Sequence, residues 1–120
     1  MQYPILLIGF NRPALISKRI SQILSSELPP EVSIHISIDG PTSTPDGIAR
    51  NTEIRKILDS HPDQMRFKIV YRSENLGLSN HVITAVSEIL HGNEGVIVLE
   101  DDISISPSFN NVISRQLDLI

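Results

Sequence analysis

Apolar residues along the chain arrive in two alternating rhythms. Ile5-Leu6-Leu7-Ile8 is a continuous apolar run that stops at Gly9, which reads as a strand buried on both faces. Pro13 suits the first turn of a helix. Ile16, Ile20, Ile23 and Leu24 follow at helical spacing until Pro29-Pro30, which cannot continue the helix. From Val32 to Ile38 the period falls to two, with Val32, Ile34, Ile36 and Ile38 set against Ser33, His35 and Ser37. That is a strand, and Asp39-Gly40-Pro41 breaks it.

Ser43, Thr44, Pro45 and Asp46 supply N-cap chemistry with proline near the first helical position. Ile54, Ile57 and Leu58 give the second helix its apolar face. Phe67 to Tyr71 is a third short strand, followed by the loop Arg72 to Gly77. Leu78, Val82, Ala85, Val86, Ile89 and Leu90 then form the clearest amphipathic helix of the chain, closed by His91-Gly92-Asn93. Val96-Ile97-Val98-Leu99 is a fourth strand, apolar on both faces, running into Glu100-Asp101-Asp102. Ser106-Pro107 opens a last helix with Phe109, Val112, Ile113 and Leu117 inward.

Strands alternating with helices predict an α/β fold with a mainly parallel sheet covered on both faces, a Rossmann-like three-layer α/β/α arrangement. No repeat, linker or low-complexity segment divides the chain, so residues 1–120 read as one domain. The pattern over 116–120 is still helical and uncapped. This reads as a chain cut from a longer one, with a natural terminus as the alternative.

Composition narrows the function. Aromatics are only 4% of the chain, so Ile, Leu and Val must carry the core. The net charge of −4 argues against a nucleic-acid binder, which usually shows a basic stripe. An acidic protein that handles an anionic ligand needs local positive charge or a metal. The absence of cysteine excludes a disulfide scaffold, a thiolate zinc site and a cysteine nucleophile. With no signal-like start and no apolar run of membrane length, it points to a reducing, cytoplasmic setting.

In a doubly wound sheet, ligands bind beyond the carboxyl ends of the strands. Asn11 and Arg12 follow the first strand, Asp39-Gly40 the second, Asn75 and Gly77 the third, and Glu100-Asp101-Asp102 the fourth. Three consecutive carboxylates repel one another unless something compensates them, and a hard divalent cation with oxygen ligands does so. A solvated acidic turn is the alternative. Arg12 has the planar fork that suits phosphate, or is a surface arginine near a helix start. Asp39 can accept hydrogen bonds from a ligand, although Asp before Gly-Pro is also ordinary turn chemistry. His81 lies at the edge of an apolar helix face, where a lone histidine is usually structural or solvated. Gly9-Phe10-Asn11-Arg12 does not match a dinucleotide or Walker phosphate loop, and no nucleophile elbow is present.

Four patches together resemble the GT-A glycosyltransferases, most of all the N-acetylglucosaminyltransferase I type, with wider likeness to family 2 enzymes. They are Pro4 to Pro13, Ser37-Ile38-Asp39-Gly40, Asn75 to His81, and Val96 to Ile103, with Ser106 to Phe109 similar to the segment after the acidic motif. The strand ending in the DXD-like Glu100-Asp101-Asp102 is the most specific of them. The patches correspond to about the first half of that family's catalytic domain. The resemblance implies a nucleotide-diphosphate sugar donor, UDP-linked, held with Mn²⁺ or Mg²⁺, and a glycan, lipid or protein acceptor. By matching position, Phe10 and Arg12 line the nucleotide site, Asp39 contacts uracil and His81 contacts the nucleotide. Glu100 and Asp101 approach sugar and ribose, and Asp102 binds the metal. The family's catalytic carboxylate lies beyond Ile120, so the resemblance implies little or no turnover by residues 1–120 alone.

Two other classes compete. A nucleotidyltransferase uses a related sheet and acidic metal site, but its first loop should be rich in Gly and Arg or Lys, and here it offers only Gly9 and Arg12. A non-catalytic Rossmann-like binding or assembly module would leave the acidic turn solvated. An incomplete sheet also leaves an open edge, which invites pairing into a homo-oligomer.

Overall fold

The computed structural model describes residues 3–103. Their order is β1 (Ile5–Gly9), α1 (Pro13–Ser25), β2 (Ile34–Ile38), α2 (Pro45–Asp59), a short 3₁₀ turn (Gln64–Arg66), β3 (Phe67–Tyr71), α3 (Leu78–Leu90) and β4 (Ile97–Glu100). The helix expected from Ser106, with Phe109, Val112, Ile113 and Leu117 inward, lies outside the described residues.

Local chemistry sets these boundaries. Pro13 begins α1, and Ser26 caps its end by donating its backbone N–H to Gln22 and Ile23 carbonyls before Pro29 is reached. Thr44 caps α2, its hydroxyl accepting the Gly47 N–H at 3.0 Å, with Pro45 and Asp46 in the first turn. Gly77 precedes α3 at a φ of +80°, a conformation open to glycine and strained for other residues.

All strand pairings are parallel, and the order across the sheet is β3-β2-β1-β4. The chain moves outward from β1 to β3, then α3 carries it back to place β4 on the other side of β1. The direction of winding therefore reverses between β1 and β4, and a crevice opens there beyond the carboxyl ends of the strands.

Alternation divides the core between two faces. Ile5 and Leu7 of β1, with Ile34, Ile36 and Ile38 of β2, pack with Ile16, Ile20 and Ile23 of α1 and Ile54 and Leu58 of α2. Leu6 and Ile8 face the other way, against Ala85 and Ile89 of α3. The three layers and the aliphatic core are as the pattern predicts. Each fully buried aliphatic side chain stabilises the fold by about 1.5–3 kcal/mol relative to an exposed one.

The structure corrects several details. β2 starts at Ile34 rather than Val32, because Val32 donates its N–H to the Pro29 carbonyl in a turn. The Arg66 guanidinium holds that turn by donating to the Val32 and Pro29 carbonyls at 2.7 and 3.0 Å. β4 runs one residue later than expected and is not buried on both faces. Leu99 is buried but Val98 is 37% exposed, since the buried residues of α3 pack over β1. On α3 itself, Leu78 and Leu90 are exposed, and the buried line is His81, Ala85 and Ile89. The first turn of α3 overhangs the end of the sheet, so Leu78 meets a cavity instead of a strand.

Candidate functional site

A cavity of about 370 Å³ occupies the crevice at the carboxyl ends of the strands. Phe10 and Arg12 reach it from the β1–α1 loop, Asp39 from the end of β2, and His81 from the first turn of α3. Glu100, Asp101 and Asp102 reach it from β4 and the turn beyond. All seven residues selected from the sequence thus share one cavity. Asn75 and Gly77 also line it. Thr42 and Leu78 are lining residues that the pattern did not single out.

Asp39 is nearly inaccessible, at 2% exposure. One of its carboxylate oxygens accepts the Gly40 and Leu76 N–H groups at 2.8 and 2.9 Å, and the other accepts the Gly77 N–H at 3.1 Å. It ties the β2–α2 loop to the β3–α3 loop. Asn75 closes the same joint by donating its amide to the Gly40 carbonyl at 2.9 Å. A Cβ on Gly40 would collide with the Glu74 and Asn75 backbone, so the joint requires glycine. Asp39 therefore has a structural task at the position where the resemblance implied a base contact.

The opposite wall is the acidic turn. Arg19, only 3% exposed within the apolar face of α1, donates from Nε to the Asp101 carbonyl at 2.8 Å and from Nη1 to Gln22 at 2.8 Å. Sequence reasoning passed over Arg19. Its signal was a cation at helical register with Ile16, Ile20 and Ile23. Burial pushes the Asp101 carboxyl above the ordinary carboxylate range. Arg12 opposes this, Asp102 and Glu100 add to it, and Arg19 opposes it. Arg12 is exposed at the head of α1, and among the described residues its guanidinium makes no hydrogen bond or ion pair.

No group of three metal-ligating side chains occurs among the described residues. Mg²⁺ and similar ions are commonly held by one or two carboxylates together with substrate phosphates. Exposed Asp102, beside the half-buried and destabilised Asp101, fits that shared arrangement.

His81 is 1% exposed, so it belongs to the core rather than to the edge of the helix face. Its Nε2 lies 2.7 Å from the Ser37 hydroxyl of β2. Burial lowers its pKa first. Asp39 acts to raise it, Arg72 to lower it and Glu88 to raise it. His35, on the same sheet face, is lowered by burial and by Lys68.

The chain superposes along 99% of its length on the crystal structure of S. aureus TarS 1–349, with a TM-score of 0.69, 16% sequence identity and 33% of that chain covered. TarS is a glycosyltransferase of GT-A-like architecture. The fold is that of a GT-A N-terminal half. At this identity the likeness establishes the GT-A-type fold, and the present chain spans about a third of the TarS fragment. No protein-family model and no curated protein sequence matches the chain. Among the described residues no helix is long and apolar enough to cross a membrane.

Two outcomes follow from this arrangement. Asp39→Asn places an amide where a carboxylate accepts loop N–H groups. It should lower unfolding stability in urea by about 1–3 kcal/mol and speed amide exchange at Leu76 and Gly77. Unchanged exchange at both amides would show that the carboxylate does not hold the loop. The histidines set a pH dependence. Their folded pKa values lie below the ordinary one, so the unfolded chain takes up protons first as pH falls. Their contribution to stability is complete above about pH 6.5 and is lost progressively below it. Thermal melts from pH 8 to pH 5 should show this fall, with a shallower slope in His81→Asn. A fall of equal slope in the variant would remove His81 from the account.

Proposed function

We propose that this chain forms the donor-binding portion of a glycosyltransferase that takes its sugar from a nucleotide-diphosphate sugar, UDP-linked. The observation that carries this reading is the cavity at the β1/β4 reversal, where one wall is an acidic turn and another presents the Arg12 guanidinium, which makes no hydrogen bond among the described residues. The likeness of fold to TarS supports the class of enzyme.

The division of labour follows from charge and position. Arg12 meets the diphosphate with a planar, permanently charged fork at the head of α1, where the helix dipole also favours an anion. Phe10 offers an apolar surface beside the nucleotide. Asp39 keeps the β3–α3 loop in place so that Gly77 and His81 form the far wall. Glu100 and Asp101 face the sugar and ribose, which carry hydroxyl groups able to donate to carboxylates. Asp102 would hold Mn²⁺ or Mg²⁺ together with the diphosphate. Such an ion stabilises negative charge on a departing nucleoside diphosphate.

Calorimetric titration of UDP with and without Mn²⁺ tests this reading. UDP should bind at least about tenfold more tightly with Mn²⁺ than without it, a difference of about 1.4 kcal/mol. Asp102→Ala should abolish the difference while leaving the fold intact by circular dichroism. Equal UDP affinity in both conditions would contradict the shared metal site. An absence of UDP binding altogether would favour the non-catalytic module.

A further inference from the structure

Behind the cavity wall a second set of polar groups is buried in the sheet. Ser37, at 2% exposure, points from β2 toward α3 and touches two partners: His81 Nε2 at 2.7 Å and Arg72 Nε at 3.2 Å. Arg72 is held in turn by Glu88, with Nη1 to Oε2 at 2.9 Å and Nη2 to Oε1 at 2.6 Å. The chain of contacts runs from Glu88 of α3 through Arg72 and Ser37 to His81. It joins the outer groove beneath α3, lined by Ser37, Arg72 and Glu88, to the cavity lined by His81.

Proton accounting along this chain favours one arrangement. Arginine only donates, so the Ser37 oxygen accepts from Arg72. The Ser37 proton then needs an acceptor, and among the described residues its remaining partner is His81 Nε2. Were Nε2 protonated, the buried hydroxyl hydrogen would lose its partner, at a cost of about 1–3 kcal/mol. A neutral imidazole that accepts at Nε2 carries its hydrogen on Nδ1. Nδ1 has no hydrogen-bond partner among the described residues. His81 lines the cavity and its Nε2 is taken by Ser37, so Nδ1 is the ring nitrogen left for a ligand.

We infer that Ser37, braced by the Arg72–Glu88 pair, is a positioning residue that fixes His81 as a neutral Nδ1–H donor facing the cavity, so that this wall accepts an oxygen acceptor of the ligand, carbonyl or phosphoryl, and disfavours a donor. The role assigned to the ligand rests on the nucleotide-binding reading of the cavity. The tautomer itself does not. The dominant effect of burial on His81, which favours the uncharged ring, agrees with this arrangement.

The test separates the two. Long-range ¹H–¹⁵N spectra of the ¹⁵N-histidine-labelled chain without ligand, with His81 assigned by its loss in His81→Asn, should show protonated Nδ1 and unprotonated Nε2. In Ser37→Ala the ring should pass to a mixed or Nε2–H state, and the Kd for UDP with Mg²⁺ should rise about tenfold. Ser37→Thr, which restores the hydroxyl, should recover both. Arg72→Met removes the second donor and should also give a mixed tautomer, which keeps the test decisive if Ser37→Ala does not fold. An Nε2–H ring in the parent chain would overturn the inference, as would an unchanged tautomer in folded Ser37→Ala and Arg72→Met. Failure of every chain to bind UDP while His81 remains Nδ1–H would support the tautomer and overturn the functional reading of the cavity.

Discussion

The carboxylate of Asp39 is the interaction on which the rest of the site depends. Two loops leave the sheet side by side, one after β2 and one after β3; Asp39 and Arg72 still donate their N–H groups to the Gly9 and Ile38 carbonyls, and the ladder goes no further. The Asp39 carboxylate accepts three of the loop N–H groups, from Gly40, Leu76 and Gly77. Charge-assisted bonds of this type are about twice as strong as neutral ones, and their burial leaves no water to compete. Because Gly77 starts α3, the same carboxylate sets where that helix begins and therefore where His81 enters the cavity. The Asp39 carbonyl is also engaged, accepting from the Asn51 side chain of α2 at 3.3 Å. One residue thus couples the end of β2, the middle of α2 and the start of α3.

The opposite wall is built with the opposite sign. Arg19 spends its charge inside the protein, on the Asp101 carbonyl and on Gln22, and so anchors the acidic turn to α1. The pairing engages a carbonyl rather than a carboxylate, and burial pushes the half-buried Asp101 carboxyl above the ordinary range. A structural anion therefore holds one side of the cavity and a structural cation the other. The groups left over, Arg12 and Asp102, are both exposed and stand at the mouth where a charged ligand would meet them.

Much of this was legible in the sequence, for identifiable reasons. Period-two alternation from Val32 to Ile38 specifies a strand, and the unbroken Ile5-Leu6-Leu7-Ile8 run specifies one buried on both faces. Thr44-Pro45 and Pro13 specify helix starts that the backbone obeys. The rule that ligands sit beyond strand ends gathered Arg12, Asp39 and the acidic turn before any coordinates, and the resemblance to GT-A enzymes added Phe10 and His81. What escaped depended on contacts between elements distant in sequence. Arg19 looks like a solvated cation until Asp101, 82 positions away, comes to lie over it. Ser37 reads as a spacer in an alternating strand until α3 brings His81 against it. Leu78 fits the apolar face of α3 by spacing, but its turn projects past the last strand residue that could cover it. Val98 likewise fits a buried strand, yet β4 lies at the margin of the described sheet.

On the function proposed, a nucleotide diphosphate binds in the cavity held between Asp39 and Arg19. Backbone amide shifts of the ¹⁵N-labelled chain, followed as UDP and Mg²⁺ are added, test it most directly. The shifts should concentrate at Phe10 to Arg12, Leu76 to Gly77 and Glu100 to Asp102, leaving unaffected Lys68 and Asn93, which line the groove beneath α3. Shifts confined to that groove, or spread evenly over the surface, would contradict it.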